Sequence, residues 1–326
     1  MSTLYPLKFK PIPREMVWGG SKLQKLYNKS FPADSKIGES WEISGIGGAI
    51  SIVENGHLEG NNLQELIEIY MGDLIGEKVF EKYGIEFPLL IKLIDATDDL
   101  SIQVHPDDQL AARRHNSFGK TEMWYVLEAE PDAELIAGFN REVNAGVYKE
   151  KLKSGKLLEL MNIEKVQPED VYFIPAGRVH AIRKGIVLAE IQQTSDITYR
   201  IYDWDRLDDK GNSRQLHIDE AMEAIDFGFH DDYRTIAAND LNVPVLLADC
   251  EYFTVNRIRF DKKVVRDYIL IDSFIIYICT GGEFNLAWGN ESVGIKKGET
   301  VLIPADLVEV TLTPKESACL LEVYIK

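Results

Sequence analysis

Apolar residues in this chain fall mostly in short runs bounded by turn residues. The runs are Trp41–Ile43, Phe87–Ile94, Leu100–Val104, Met123–Leu127, Val171–Ile174, Ile186–Ile191, Tyr252–Ile258, Phe274–Cys279 and Thr300–Ile303. Each is rich in β-branched and aromatic residues and is expected to be a strand. Helical spacing is confined to three segments. Leu63–Tyr70 has apolar residues at 63, 66, 67 and 70, behind Asn62 in a capping position. Ile218–Phe227 has them at 218, 221, 222 and 225, and Ala145–Met161 carries a weaker helical pattern. Many short strands and few helices predict a mainly β protein of sandwich or barrel type, built like a jelly roll.

One segment recurs. Glu169–His180 reads EDVYFIPAGRVH and Gly298–Glu309 reads GETVLIPADLVE. Without gaps, both have an acidic second position, four strand-like residues, Ile-Pro-Ala, and Val next to last. Two copies of one β unit predict two β-barrels of the same kind. The polar stretch Tyr233–Val243 follows a helix pattern and precedes a new strand series. The expected division is therefore 1–235 and 236–326.

Composition narrows the function classes. A length of 326 residues fits about two domains. With 45% hydrophobic and 27% charged residues, the chain has the mix of a globular protein rather than a disordered one. Lys plus Arg number 36 against 53 Asp plus Glu, a formal charge of −17, so nucleic acid and anionic membrane surfaces are set aside as partners. No run reaches the roughly 18–20 apolar residues of a membrane span, and no basic-then-apolar leader is visible in Met1–Pro13. Cys250, Cys279 and Cys319 are few, odd in number and without CxxC spacing, which points to a reducing cytoplasm. The oligomeric state is left open.

The two copies differ where chemistry would sit. Pro175-Ala176-Gly177-Arg178-Val179-His180 resembles the second motif of the cupin superfamily, in which the turn delivers a histidine to a metal inside the barrel. Glu169 stands where that motif usually has glycine. The second copy keeps Gly298 and Pro304 but has Asp306 and Glu309, so it is expected to be degenerate and metal-free. Partners for His180 should lie on neighbouring strands. Gln103 and His105 are two apart and face one side of a strand, and Glu122 opens the run that follows. Two imidazoles, a carboxylate and an amide oxygen suit zinc and other borderline divalent ions. On spacing alone, His105 and His180 are equally compatible with half-buried structural positions. His57, His115, His217 and His230 have no ligand-like neighbours at strand spacing.

Further segments carry a closer resemblance, to the class I mannose-6-phosphate isomerases of the short bacterial kind. They are Met16–Gly20 (MVWGG), Ile37–Ser44 (IGESWEIS), Phe87–Leu93 (FPLLIKL), Ser101–Asp108 (SIQVHPDD), Gly119–Trp124 (GKTEMW), Ile174–Ile182 (IPAGRVHAI) and Glu190–Asp203 (EIQQTSDITYRIYD). The resemblance implies two cupin-like barrels without a large helical insertion, the first of them catalytic. It implies one zinc per chain, held by Gln103, His105, Glu122 and His180. It also implies interconversion of mannose 6-phosphate and fructose 6-phosphate, a small sugar phosphate being the partner.

Isomerisation between aldose and ketose moves a proton between C2 and C1 through a cis-enediol, and so asks for an electrophile, a base and cations. Glu190, Asp196 and Arg200 have even separations, which place them on one face if the segment is extended. The resemblance puts Arg200 in the active site. Glu190 and Asp196 are candidate bases; either can instead orient a ligand or Arg200. Lys120 is a candidate for electrostatic catalysis. Lys92, unusual in an apolar strand, is a candidate substrate contact or a snorkelling rim residue. Ser101 and Trp18 are further substrate-binding candidates, and Trp18 and Trp41 suit either the sugar pocket or the core. Arg178, Arg183 and Arg206 are possible phosphate contacts, and Asn140–Met161 is a possible cover for the site.

Two other readings remain open, a cupin dioxygenase using iron and a non-catalytic sugar-binding cupin. Gln103, Lys120 and Arg200 argue against the first, and the presence of all four ligands argues against the second. A strongly acidic protein that binds an anionic sugar needs a cavity in which the sign of the charge reverses.

Overall fold

The computed structural model describes residues 4–32, 35–207 and 211–326. Three sheets dominate it, all built from antiparallel strand pairs. A five-stranded sheet runs, in spatial order, Tyr199–Tyr202, Ile102–Val104, His180–Ile182, Glu134–Phe139 and Met161–Lys165. A seven-stranded sheet runs Arg234–Thr235, Val171–Ile174, Glu122–Ala129, Ile186–Gln193, Leu89–Ala96, Ile37–Ile43 and Ile12–Gly20. The third sheet, with eight strands, is built mainly from residues beyond 243 and also takes in Leu7–Lys8, which pairs with Thr300–Ile303.

Strand parity decides what each layer buries. In Ile186–Gln193, Leu188 joins Trp124, Leu135 and Ile182 in the core between the five- and seven-stranded sheets. Val187, Ala189 and Ile191 face the other way and pack with Phe253, Val255, Leu321 and Val323 of the third sheet. A strand covered on both faces needs apolar residues at every position, which is why Phe87–Ile94 and Ile186–Ile191 read as continuous runs rather than alternations. At about 25 cal/mol per Å² of apolar surface, this two-sided burial is the main force holding the layers together.

The chain is mainly β, as expected, and among the described residues the longest helix has 13 residues, with no large helical insertion. All nine expected strands form. Leu63–Ile75 starts at Asn62 with a reciprocal capping box to Glu65, and continues past Tyr70 through a break at Met71. The helix expected over Ala145–Met161 ends at Lys153. Gly155, at φ 70, turns the chain and Met161 already opens a strand. Ile218–Ala224 is likewise shorter than its pattern.

The repeat is structural. Val171–Ile174 and Thr300–Ile303 occupy the same positions of the two copies, and His180 and Glu309 each open the next strand. The first residue of each unit has positive φ, 77° at Glu169 and 87° at Gly298.

Candidate active site

The centre of the site lies between the two facing sheets. On the five-stranded sheet His180 pairs in register with Gln103, and Gln103 with Arg200. Glu122 opens a strand of the facing sheet, and His105 follows just after Ile102–Val104. His105, Glu122 and His180 are fully buried and each brings a ligand atom within 4.8 Å of the others. The side-chain nitrogens of both histidines are oriented by the backbone. His105 Nδ1 lies 2.8 Å from the Ile197 carbonyl, and His180 Nδ1 2.8 Å from that of Arg178. A carbonyl only accepts, so Nδ1 carries the hydrogen in each ring and Nε2 turns a lone pair inward. Burial pushes the His180 pKa down to about 3 and that of His105 well below the ordinary value, so both rings are neutral.

These groups fit a divalent cation. The two Nε2 atoms stand 3.5 and 3.4 Å from the oxygens of Glu122, and Glu122 Oε1 is buried with no hydrogen-bond donor among the described residues. A buried carboxylate oxygen without a donor is costly unless a cation completes it. Gln103 also reaches the group, with Nε2 at 3.3 Å from His180 Nε2, while its Oε1 accepts a long bond of 3.5 Å from Ser101.

A cavity of about 480 Å³ opens beside this centre. Trp18, Lys92, Ser101, Gln103, Lys120, Glu190, Asp196 and Arg200 all line it. Lys120 precedes the strand, yet its Nζ donates to Glu122 Oε2 at 2.6 Å and lies 3.1 Å from His105 Nε2. Lys92 is locked between Glu190 at 3.0 Å and Glu39 at 3.6 Å. Burial alone would raise the pKa of Glu190. The charges of Lys92 and Lys120 and the Trp124 Nε1–H bond at 3.0 Å reverse this and hold it low. Burial and the charge of Glu190 push Glu122 the other way, upward. Arg200 donates from Nη1 to the Gln215 carbonyl at 2.9 Å, and its Nε is buried without a partner.

Three expectations change. Glu190, Asp196 and Arg200 do not share an extended face: Glu190 ends in the seven-stranded sheet, Arg200 lies in the five-stranded one, and the chain bends between them at Thr194, with Asp196 in the connection that follows it. They meet in one cavity because the two sheets face each other, not because of even spacing. Arg178, Arg183 and Arg206 do not line the cavity. Arg178 bonds the Phe173 carbonyl, Arg183 pairs with Asp99 and Glu134, and Arg206 bonds the Asp99 carbonyl. Nor does Asn140–Met161 cover the site. Tyr148, Leu157 and Leu160 pack with Ile102, Ile136 and Ala181 on the outer face of the five-stranded sheet.

The residues that line the cavity are cationic on balance, although Glu122 and Asp203, outside the lining, pair with Lys120 and Arg214. Arg14, Lys92, Lys120, Arg200 and Arg214 line the cavity against Glu39, Glu190 and Asp196. Arg14, Glu39, Thr198 and Arg214 were not singled out from the sequence. The alternation Arg14, Met16, Trp18, with every second residue in the cavity, was the available signal.

The phosphomannose isomerase type I catalytic domain matches residues 7–157, and the mannose-6-phosphate isomerase cupin domain matches residues 245–320. The chain is 35% identical to the mannose-6-phosphate isomerase ManA of Bacillus subtilis, over 95% of this chain and 96% of that protein. It is 33% identical to the probable mannose-6-phosphate isomerase GmuF of the same organism, over 94% and 96%. A crystal structure of the mannose 6-phosphate isomerase from Bacillus subtilis superposes with a TM-score of 0.87 and 32% identity, covering 98% of this chain and 99% of that one.

Proposed function

The chain belongs to the type I phosphomannose isomerases, and on that premise we propose that it interconverts mannose 6-phosphate and fructose 6-phosphate with one zinc ion per chain, through a cis-enediol. One observation carries the metal reading: two neutral imidazoles and a buried carboxylate, one of whose oxygens lacks a donor, converge at the wall of a cationic cavity. His105, Glu122 and His180 would hold the zinc, and Gln103 would add its amide oxygen. When bound, zinc supplies a Lewis acid that polarises the sugar oxygens at C1 and C2.

The chain's own groups divide the remaining work. Lys120 places a fixed positive charge in a buried corner, where negative charge develops on the enediol oxygens. Arg200 offers a permanent planar cation with a free Nε to hold substrate oxygens. Glu190 stays ionised under Lys92 and is a poor proton acceptor; it positions Lys92 and Trp124. Asp196 faces the cavity without a hydrogen-bond partner among the described residues, which makes it the carboxylate best placed to move the proton. Ser101 and Trp18 line the sugar's path. Residues 1–235 form the catalytic part in this reading, and 236–326 a metal-free companion. Three free cysteines fit a reducing cytoplasm. Among the described residues no helix is long and apolar enough to cross a membrane.

The test is metal removal. Chelated protein should lose the conversion of mannose 6-phosphate to fructose 6-phosphate and regain it with one equivalent of zinc. Zinc-loaded protein without turnover would sink the proposal, and oxygen consumption with iron would favour a dioxygenase.

A further inference from the structure

The cavity holds five cationic side chains, and most are already neutralised. Lys92 is held by Glu190 and Glu39, Lys120 by Glu122, and Arg214 by Asp203 through two bonds. Arg200 and Arg14 have no carboxylate partner among the described residues, and in both Nε is buried without an acceptor. Arg200 already has a place in the reaction; Arg14 does not.

Arg14 is nonetheless pre-set for a ligand. It lies on Ile12–Gly20, the edge strand of the seven-stranded sheet, and the alternation that sends Trp18 into the cavity sends Arg14 there too. Its guanidinium carbon stands 4.0 Å from the centre of the Trp41 ring. The indole is fixed in turn, since Trp41 Nε1–H donates to Glu39 Oε2 at 2.7 Å. A guanidinium stacked on a rigid aromatic face keeps its edge free, and that edge matches two oxygens of a phosphate group. Three strands separate Arg14's strand from the strand of Glu122. The phosphate of a hexose 6-phosphate is likewise at the opposite end of the molecule from C1 and C2.

We propose that Arg14, stacked on Trp41, is a specificity residue that grips the substrate's phosphate and lets the enzyme choose a phosphorylated sugar over a free one. This rests on the sugar-phosphate reading above. The test is steady-state kinetics of the zinc-loaded enzyme with mannose 6-phosphate and with free mannose, together with competitive inhibition by inorganic phosphate. Arg14→Met should raise KM for mannose 6-phosphate, and the inhibition constant of inorganic phosphate, by about 10- to 100-fold, as expected for lost charge-assisted hydrogen bonds. Zinc content should not change, and any slow turnover of free mannose should be unaffected. Arg14→Lys, which keeps the charge but loses the planar fork, should fall between the two. Unchanged constants in Arg14→Met would overturn the proposal, as would an equal loss with both sugars. If the native protein bound inorganic phosphate through Arg14 but did not isomerise, the functional reading would fail while this assignment stood.

Discussion

Two buried glutamates face opposite fates in this molecule. Glu122 and Glu322 are both 0% exposed, one in the seven-stranded sheet and one in the eight-stranded sheet. Glu322 is saturated. Its Oε1 accepts from Arg266 Nε at 2.9 Å and Tyr268 OH at 2.6 Å, and its Oε2 from Arg266 Nη2 at 3.1 Å and Asn256 Nδ2 at 2.9 Å. Tyr277 lies opposite it in register and closes the network through Tyr268. Glu122 has the Lys120 ammonium on one oxygen and nothing on the other, which faces an imidazole lone pair. The same kind of buried sheet surface thus serves two ends. Where donors fill every lone pair, the carboxylate is a structural tie. Where they do not, it is a place for a cation.

The same substitution at both positions should separate these roles. Glu122→Gln is expected to have the largest effect, with loss of bound metal and a fall in turnover of about 10³-fold or more, since metal-borne charge stabilisation is worth several kcal/mol. Metal retained at full stoichiometry, measured by elemental analysis, would break the comparison. Glu322→Gln should instead leave the half-buried Arg266 without its counter-charge and cost about 2–3 kcal/mol in chemical denaturation. Metal per folded chain should stay unchanged; loss of metal there would mean that the two interiors are coupled.

The smallest effect concerns the matched turn. A Cβ on Gly298 would stand 2.7 Å from the Tyr27 Cβ, and φ is positive there, so Gly298→Ala should destabilise by about 1–3 kcal/mol. Glu169 holds the same positive φ with a side chain paired to Arg259. Glu169→Gly relieves the backbone but removes an exposed ion pair, a net change of less than about 1 kcal/mol. A loss as large as that at Gly298 would assign the first turn to the Arg259 contact rather than to its backbone.

Much of the site was legible because strand parity is local. Gln103 and His105, two apart, both come to the ligand group, and Trp18, Lys92, Ser101, Lys120, Glu190, Asp196 and Arg200 line the cavity, whereas the candidate phosphate contacts Arg178, Arg183 and Arg206 do not. Glu309–Tyr324, the longest strand, was not read because the polar stretch Lys315-Glu316-Ser317 interrupts its apolar pattern; its two halves pair with different partners. Arg14 escaped notice because an arginine on a strand looks like a surface residue until the facing sheet is in place.

By itself the sequence determined the donor types, the repeat, and the turn that presents His180 in one copy and Glu309 in the other. Those follow from residue chemistry and from alternation within a few residues. Only the tertiary structure decided which buried charges are satisfied. Lys92 meets Glu190 and Arg266 meets Glu322 across strands far apart in the chain, whereas Glu122 Oε1 and the Arg14 and Arg200 Nε atoms find no hydrogen-bond partner among the described residues. Satisfaction of a buried polar group is a property of its non-local neighbours. Asp95 Oδ1, Tyr148 OH, Gln192 Oε1, Arg206 Nη1 and Thr300 Oγ1 are also buried without a partner among the described residues, so it is the convergence of such groups around one cavity, which only the tertiary structure creates, that marks the site.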